Sequence, residues 1–562
     1  MTDQKIRIVK GIEDPESGVW LKVRSGKKSG WVARSSLVGE SGEAFKRLEK
    51  KGIVALTRSA QNDIKQQAQD FTAFKSRARV ADRPGWYGLH FVLPNGECVS
   101  PENAIKTKPV ICFCPNPKCV SSGTKLTELH KVLAPLMKNQ SLPLFMIAYA
   151  LAPALMALLG KSPMNIGNTG VDIVGKQNSG KTILLSLAGS AWGTDPDVTV
   201  RRGYAESWSG TTEGTMKRLP LFQDGFLGLD DTGLSPGAPQ KRAVAISEKV
   251  MRLSDGGEKD RYDGPPHARP SRLLYASTGN ASIRAFLEGH PDVIDAHRTR
   301  LITIKIREVG GLGIFTSIPK GCKSAQEAAN DLYLAQRKHF GLLGPAFIRK
   351  LVAARAKDEP ALVRKIETYM SAFHKRISKR SKEQPVDRVW RPFALAYAAG
   401  RLAKVWGVIP PSWGNFKNAT TRAYRLAVEN IGEGSDDTRS SDPLDAIRDY
   451  AASNKLIDIR RVKTTMTKAQ VAKAPGFIAM NRDGRAELQM SPKRFKQIFS
   501  ESKAILKELT VRKLIAKERS KSSVKRSLRQ GGPDDRVYAI YIRFPEDDPE
   551  VKGVEIAPQS LS

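Results

Sequence analysis

At roughly 150 residues per domain, 562 residues are enough for about three or four domains and exclude a peptide or mini-protein. The 92 Lys and Arg residues against 57 Asp and Glu leave a formal net charge of +35 and a pI near 10.0. Such an excess repels itself in a compact state and points to a polyanionic partner, while 40% hydrophobic and 27% charged residues exclude a wholly disordered or collagenous chain.

The amino terminus, MTDQKIRIVKGIEDPESG, lacks the basic, apolar and small-residue succession of a signal peptide, so no export is expected. RIVKGI, GVWLKVRS, GWVARSSLV and WYGLHFVLP are short extended signals broken by turn chemistry such as Pro94-Asn95-Gly96. With helices expected around 42–50 and 60–74, they predict a small mixed domain over 1–122. Four of the five cysteines fall between 98 and 119, which argues against a disulfide framework and for a reducing cytosol. ICFCPNPKC lacks paired C-x-x-C knuckles, so Cys98, Cys112, Cys114 and Cys119 read as small buried side chains rather than a zinc site.

Residues 142–159, LPLFMIAYALAPALMALL, form an 18-residue uncharged run, the lower limit for crossing a bilayer. Pro143, Pro153 and five alanines favour a buried helix, or a helix pair broken near Pro153, over a membrane span. From about 123 the pattern turns to helices and then alternates strands with helices to about 308, which predicts a parallel α/β sheet in a core over 123–324.

The most specific signal lies in that region. VDIV at 171–174 reads as a buried strand and KTILLSLAGSAW at 181–192 as a helix; between them stand Gly175, Lys176, Gln177, Asn178, Ser179, Gly180, Lys181 and Thr182, which satisfy G-x-x-x-x-G-K-[ST]. Backbone N–H groups turned inward by the glycines cradle phosphates, Lys181 reaches the β and γ phosphates, and the Thr182 hydroxyl ligates Mg²⁺. A second acid is expected on a neighbouring strand, and FLGLDDT at 226–232 supplies it. Asp230 is the metal candidate, and Asp231 occupies the place of the water-activating acid, where a Glu is more usual. SRLLYASTGN at 271–280 reads as a strand whose Thr278 or Asn280 could face the attacking water and the γ phosphate. Arg298 and Arg300, just before the strand-like LITIKI, are candidate arginine fingers for a neighbouring subunit.

Residues 325–430 read as helical, IGEGSDDTRSSD at 431–442 as a linker, and 546–562 as a tail. Over 443–545, helices alternate with a hairpin signal centred on Asp483-Gly484 and end in the strand-like RVYAIYIRF, a winged-helix pattern. Within it, 493–529 carries thirteen Lys or Arg and three Glu. Phe495, Ile498, Phe499, Leu506, Leu509 and Leu514 give the same segment an apolar face, so its charge sits on a folded element. Lys493, Arg494 and Lys496 are its candidate contacts to duplex phosphates.

GWYGLHFVLP, GKQNSGKT with the following AGSAWG, WSGTTEGTMK, FLGLDD, MRLSDGGEKDR, LLYASTGN and DAHRTRLITI, in that order, resemble the domain-of-unknown-function 927 family of P-loop ATPases over about 5–350. That family includes self-loading replicative helicases of mobile elements, with AAA+-like cores similar to superfamily 3 and minichromosome-maintenance helicases. The resemblance implies an α/β fold: a P-loop NTPase core with an AAA+-like parallel sheet, a small β-containing N-terminal domain, a helical segment and a C-terminal winged-helix-like domain. It further implies an ATP- and Mg²⁺-dependent DNA helicase acting as a homo-oligomer, a hexameric ring, with primase or other replication proteins as partners and no membrane. Superfamily 3 cores place a Gly-rich basic stretch in the ring's pore; EKVMRLSDGGEKDRY occupies that interval, which assigns Lys259 and Arg261 to single-stranded DNA. Two other readings stay open on the residues alone: an ATP-controlled replication initiator that binds DNA without unwinding it, and an ATPase acting on protein partners.

Overall fold

The computed structural model describes residues 6–39, 42–55, 57–113, 121–193, 205–237, 239–257, 270–286, 297, 299–306, 311–378 and 387–429. Beyond these it describes 447, 450, 456–459, 467, 469, 471, 474–480, 486–499, 502–511, 513–516, 523–526 and 535–541.

Strands β1 (Arg7–Asp14), β2 (Gly18–Ser25), β3 (Lys28–Ala33) and β4 (Phe74–Arg77) make a sheet in the order β3-β2-β1-β4. One face packs Leu21, Val23 and Val32 against Leu48 and Ile64 of helices Glu43–Lys50 and Arg58–Asp70. The second helix, expected to run to Phe74, stops at Asp70. Thr57 Oγ1 caps its start by accepting from Ala60 N at 3.2 Å, and Phe74 instead opens a strand parallel to β1. A Cβ at Gly11 would lie 2.6 Å from the Phe71 ring and 2.7 Å from the Phe74 ring, so tertiary packing on that glycine overrides helix continuation.

The pairs β5 (Val80–Ala81) with β9 (Val110–Ile111), and the meander β6 (Gly85–Tyr87), β7 (His90–Val92), β8 (Cys98–Val99), follow. Cys112 is buried against Ile12, Trp20 and Val80, and burial pushes its thiol pKa up; Cys114 and Cys119 lie outside the described residues. The meander docks on the central core: Trp86 N donates to Asp224 Oδ2 at 3.1 Å, Trp86 Nε1 donates to Ala154 O at 2.9 Å, and Phe91 joins the main cluster.

The apolar run folds as helices Ser141–Leu151 and Pro153–Leu159, bent by 43° where Pro153 cannot donate to the ladder. Every residue of the first is buried, and among the described residues no single helix is long and apolar enough to cross a membrane. This helix pair is the floor on which the central sheet rests: Tyr149 Oη donates to Thr169 O at 2.8 Å and Trp192 Nε1 to Ala150 O at 2.8 Å.

The central sheet comprises β10 (Thr169–Val174), β11 (Ala205–Ser207), β12 (Gly225–Asp230), β13 (Leu273–Gly279) and β14 (Leu301–Lys305), all parallel, in the order β11-β12-β13-β10-β14. β10 and β13 are buried throughout, as their unbroken apolar character requires of a sheet covered on both faces. Helices Ala325–Lys338, Leu343–Ser378, Asp387–Val405 and Phe416–Val428 follow. Leu343–Ser378 is broken at Asp358 (φ −162°), whose carboxylate caps the restart by accepting from Ala361 N at 2.8 Å, two residues before Pro360 would clash with a continuous helix.

At the carboxyl end, β15 (Ile457–Asp458), β16 (Phe477–Met480), β17 (Ala486–Met490), β18 (Val524–Arg526) and β19 (Asp535–Tyr541) form a sheet ordered β15-β16-β17-β19-β18. β16 and β17 pair antiparallel with Met480 opposite Ala486, as a hairpin across 483–484 demands; the turn itself, the segment 431–442 and the tail lie outside the described residues. Helices Pro492–Ile498 and Ser502–Val511 bury Phe495, Ile498, Ile505 and Leu509 against it.

Candidate nucleotide site

In a parallel sheet all strand ends of one kind share an edge. Loop 175–182, Asp230 and Asn280 therefore converge at the carboxyl-terminal edge. Asn178 (φ 63°) and Gly180 (φ 89°) adopt left-handed backbone, and Gly180 caps the helix Lys181–Ser190. Only glycine suits position 180, since a Cβ there would also press on Ile314 at 3.1 Å. Ile314 belongs to a buttress that the motif does not announce. Ile314 N donates to Ser179 O at 3.1 Å, and Gly313 (φ 54°) approaches so closely that a Cβ would lie 2.5 Å from that same oxygen. The spaced glycines of GGLGI at 310–314 are the signal in the sequence that could have found it.

Lys181 Nζ donates to Gly175 O at 2.8 Å, Lys176 O at 2.7 Å and Asn280 Oδ1 at 3.1 Å. Partial burial lowers its pKa, opposed by the nearby charges of Asp231 and Asp230. Lys176, Gln177 and Asn178 are exposed around the loop's mouth.

The acidic strand is not the neighbour of β10 that the motif leads one to expect: β13 lies between them. That spacing is what makes Thr278 useful. Its hydroxyl donates to Asp230 Oδ1 at 2.6 Å and accepts from Asp231 N at 2.9 Å, while Thr182 Oγ1 donates to the same Asp230 Oδ1 at 3.0 Å. Thr278, expected to face water and phosphate, is buried and instead fixes the acid; of the pair, it is Asn280 that reaches Lys181. Asp231 holds left-handed backbone (φ 60°), and its Oδ1 accepts from Gly233 N at 3.0 Å, capping the turn Thr232–Leu234. A hydroxyl and a carboxylate side by side are hard oxygen donors of the kind Mg²⁺ takes when nucleotide phosphates and waters complete its shell, so Thr182 and Asp230 fit that ion. Among the described residues no group of three or more His, Cys, Asp or Glu side chains gathers as a metal cage.

The other candidates lie elsewhere. Arg300 precedes β14 at the amino-terminal edge, its carbonyl accepting from Gly170 N at 2.8 Å and Tyr275 Oη at 2.9 Å. A strand of this length spans roughly 15–20 Å, beyond an arginine's reach of its own chain's loop. Arg298, Lys259 and Arg261 lie outside the described residues. The chain flanking the last two is pinned at the same edge: Ser271 N donates to Gly256 O at 2.5 Å, and Asn168 Nδ2 donates to Leu253 O at 3.0 Å and Ser271 O at 2.7 Å.

Two buried ionisable groups give no signal in the sequence because each sits in an apolar context. Lys249, on helix Pro239–Asp255, donates to Gly210 O at 2.6 Å beneath the Trp208 ring, and burial pulls its pKa down to about 8. Asp172, inside β10, is fully buried, and burial pushes its carboxyl up to about 7.

In the carboxyl-terminal sheet Lys493 and Lys496 are exposed, whereas Arg494 is half-buried beside Tyr450, whose pKa burial raises to about 12. Arg526, counted in the basic segment, is spent internally: its Nη2 donates to fully buried Glu487 Oε1 at 3.0 Å and its Nε to Oε2 at 3.2 Å.

The family model of the domain of unknown function DUF927 matches residues 2–250. A solved structure named "SCCmec type IV Cch - active helicase" matches with TM-score 0.51 and 14% identity, over 95% of this chain and 93% of that one. At that identity the likeness is one of fold. No curated protein matches the chain.

Proposed function

We propose that the chain is an ATP-hydrolysing DNA helicase or translocase of a mobile element, with a P-loop, AAA+-like core related to superfamily 3, working as a ring of identical subunits, six by family analogy. The observation that carries this reading is the triad at the sheet's carboxyl edge, in which Thr182 and Thr278 both donate to Asp230 Oδ1 beside the Lys181 ammonium. When bound, the nucleotide would supply the γ-phosphoryl electrophile and Mg²⁺ would neutralise charge on the phosphate oxygens. Lys181 would exchange its carbonyl acceptors for phosphate oxygens, Thr182 and Asp230 would hold the ion, and Asn280 orients Lys181. Asp231 activates water through the carboxylate oxygen not engaged by Gly233. Arg298 or Arg300, the latter at the opposite edge, serves the adjoining subunit's site. Lys259 and Arg261 grip single-stranded DNA, and Lys493, Lys496 and Arg494 of a winged-helix-like domain face duplex phosphates.

The test compares the wild-type protein with Lys181→Ala and Lys259→Ala for ATP hydrolysis with and without single-stranded DNA, and for strand displacement. Hydrolysis stimulated by DNA and lost in Lys181→Ala, with displacement uncoupled in Lys259→Ala, is the expected pattern. Hydrolysis that DNA leaves unchanged, with no strand displaced, overturns the helicase and leaves a nucleotide-controlled initiator. Full hydrolysis by Lys181→Ala overturns the phosphate-loop assignment.

A further inference from the structure

The amino-terminal sheet has two unlike faces. One is covered by helices. The other is laid out by register in rows across β1, β2 and β3. Ile12, Trp20 and Ala33 form an apolar row packed with Val80 and Cys112, in which Ile12 and Trp20 are buried and Ala33 is half-buried. Next come Lys10, Lys22 and Trp31, and then Arg7, Arg24 and Ser29. Two successive cross-strand pairs thus set cation directly opposite cation, Lys10 with Lys22 and Arg7 with Arg24, an arrangement that destabilises a sheet.

Among the described residues no carboxylate offsets that cost. Among the described residues, none of the four cations is in an ion pair. Asp14, the carboxylate that this face of β1–β3 carries, lies at the far end, 3% exposed, with Oδ2 accepting from Val80 N and Ser17 Oγ at 2.8 Å each and Oδ1 from Glu16 N at 2.9 Å. A β-bulge between Ile8 and Lys10 sits beside the rows and leaves Val9 40% exposed. Beside the cations lies a half-buried indole: Lys22 Nζ is 5.8 Å from the Trp31 ring centroid, and Trp31 packs against the cluster of Ile12, Trp20, Val80 and Cys112.

We infer that this face is a binding platform for single-stranded nucleic acid, in which Arg7, Lys10, Lys22 and Arg24 hold the backbone and Trp31 stacks a base. Local charge repulsion that no carboxylate among the described residues relieves is accounted for by a polyanion that neutralises it. A phosphate held at Lys22 brings its own base to the indole, the pairing of basic groove and aromatic ring that sequence-tolerant single-strand binding uses. The platform goes beyond the motor assignment. It needs neither nucleotide nor ring, and it gives the chain a hold on a strand separate from 256–261.

The test uses the full-length, nucleotide-free protein with a fluorescent oligothymidylate in a salt titration, and an oligonucleotide carrying 5-iodouracil for photocrosslinking. A triple Lys10→Gln, Lys22→Gln, Arg24→Gln variant is expected to bind about tenfold or more weakly at low salt, with the log–log salt slope reduced by about 0.7 for each phosphate no longer neutralised. Its thermal midpoint should hold or rise, because the opposed charges are gone. Trp31→Leu should abolish the crosslink that maps to the wild-type peptide containing Trp31. Wild-type affinity and slope in the triple variant, or the absence of any crosslink on β1–β3, overturns the inference; the first result would leave an acidic protein surface as the occupant. Lys181→Ala should bind oligothymidylate as wild type does. A chain that binds through this face yet hydrolyses no ATP therefore breaks the motor assignment alone.

Discussion

The two edges of the central sheet are built in opposite ways. At the carboxyl edge the side chains are tied to one another: Thr182 and Thr278 to Asp230, Asn280 to Lys181, and Ile314 to the loop from beneath. At the amino edge the bonds are mostly backbone and structural. Asn168 laces Leu253 to Ser271, and the Arg300 carbonyl receives Gly170 and Tyr275. The difference teaches where chemistry and transmission divide. On the proposed function, the carboxyl edge is preorganised to hold a phosphate chain and a cation. The amino edge is a mount that holds Arg300 and the chain on either side of 258–269; on the proposed function it serves something outside its own site.

The sharpest way to break this contrast is at the amino edge. Replacing Arg298 and Arg300 together by Ala should lower hydrolysis by about 10³-fold or more in the assembled protein while leaving nucleotide binding measurable by fluorescent-ATP titration. Loss of binding as well would place the arginines in their own chain's site. At the carboxyl edge, Lys181→Ala should cost about 10²–10³ in turnover and also weaken binding. Thr278→Val, which removes the brace but no group assigned to nucleotide, should cost turnover by about tenfold with nucleotide affinity kept; an unchanged turnover would make the brace ornamental. Gly313→Ala puts a Cβ 2.5 Å from Ser179 O on left-handed backbone, and calorimetry should show it less stable by about 1–3 kcal/mol, with weaker ATP binding.

The smallest effect concerns pH. Asp172 is raised to about 7 when folded, so its protonated form favours folding below its unfolded value near 3.8, and that contribution fades as pH climbs to about 7. Asp172→Asn should therefore flatten the pH dependence of the thermal midpoint between about pH 4 and 7 and stabilise the protein at pH 8 by on the order of 2 kcal/mol. An equally steep profile in the variant would contradict the assignment.

Much of this is legible in the sequence because the signals are local. Strand, glycine turn and helix sit within 171–192, and FLGLDD and LLYASTG each carry an apolar run ending in a polar group, so β10, β12 and β13 and the loop between β10 and its helix fall close to where periodicity puts them. What sequence does not carry is lateral order. That β13 separates the acid from the loop, and so turns Thr278 from a phosphate-facing group into a brace, depends on strand pairing that brings together side chains 48 and 99 positions apart along the chain. Lys249 and Asp172 are hidden for the same reason, since only the packed helix and sheet reveal a charge without water. Likewise periodicity carries the helix after Thr57 four residues too far, because Phe74 answers to Gly11 and not to its own neighbours. In the basic carboxyl-terminal segment, composition does not separate exposed Lys493 and Lys496 from Arg526, which is consumed by Glu487.

On the proposed mechanism, a working nucleotide site takes its loop from one subunit's carboxyl edge and its arginine from another's amino edge. Mixing two inactive proteins, Lys181→Ala and the double Arg298→Ala, Arg300→Ala variant, tests this by ATP hydrolysis in the presence of single-stranded DNA. The mixture should regain activity that neither variant has alone, since some interfaces then pair an intact loop with an intact arginine edge. A mixture that co-assembles by mass measurement yet stays inactive would contradict the shared site.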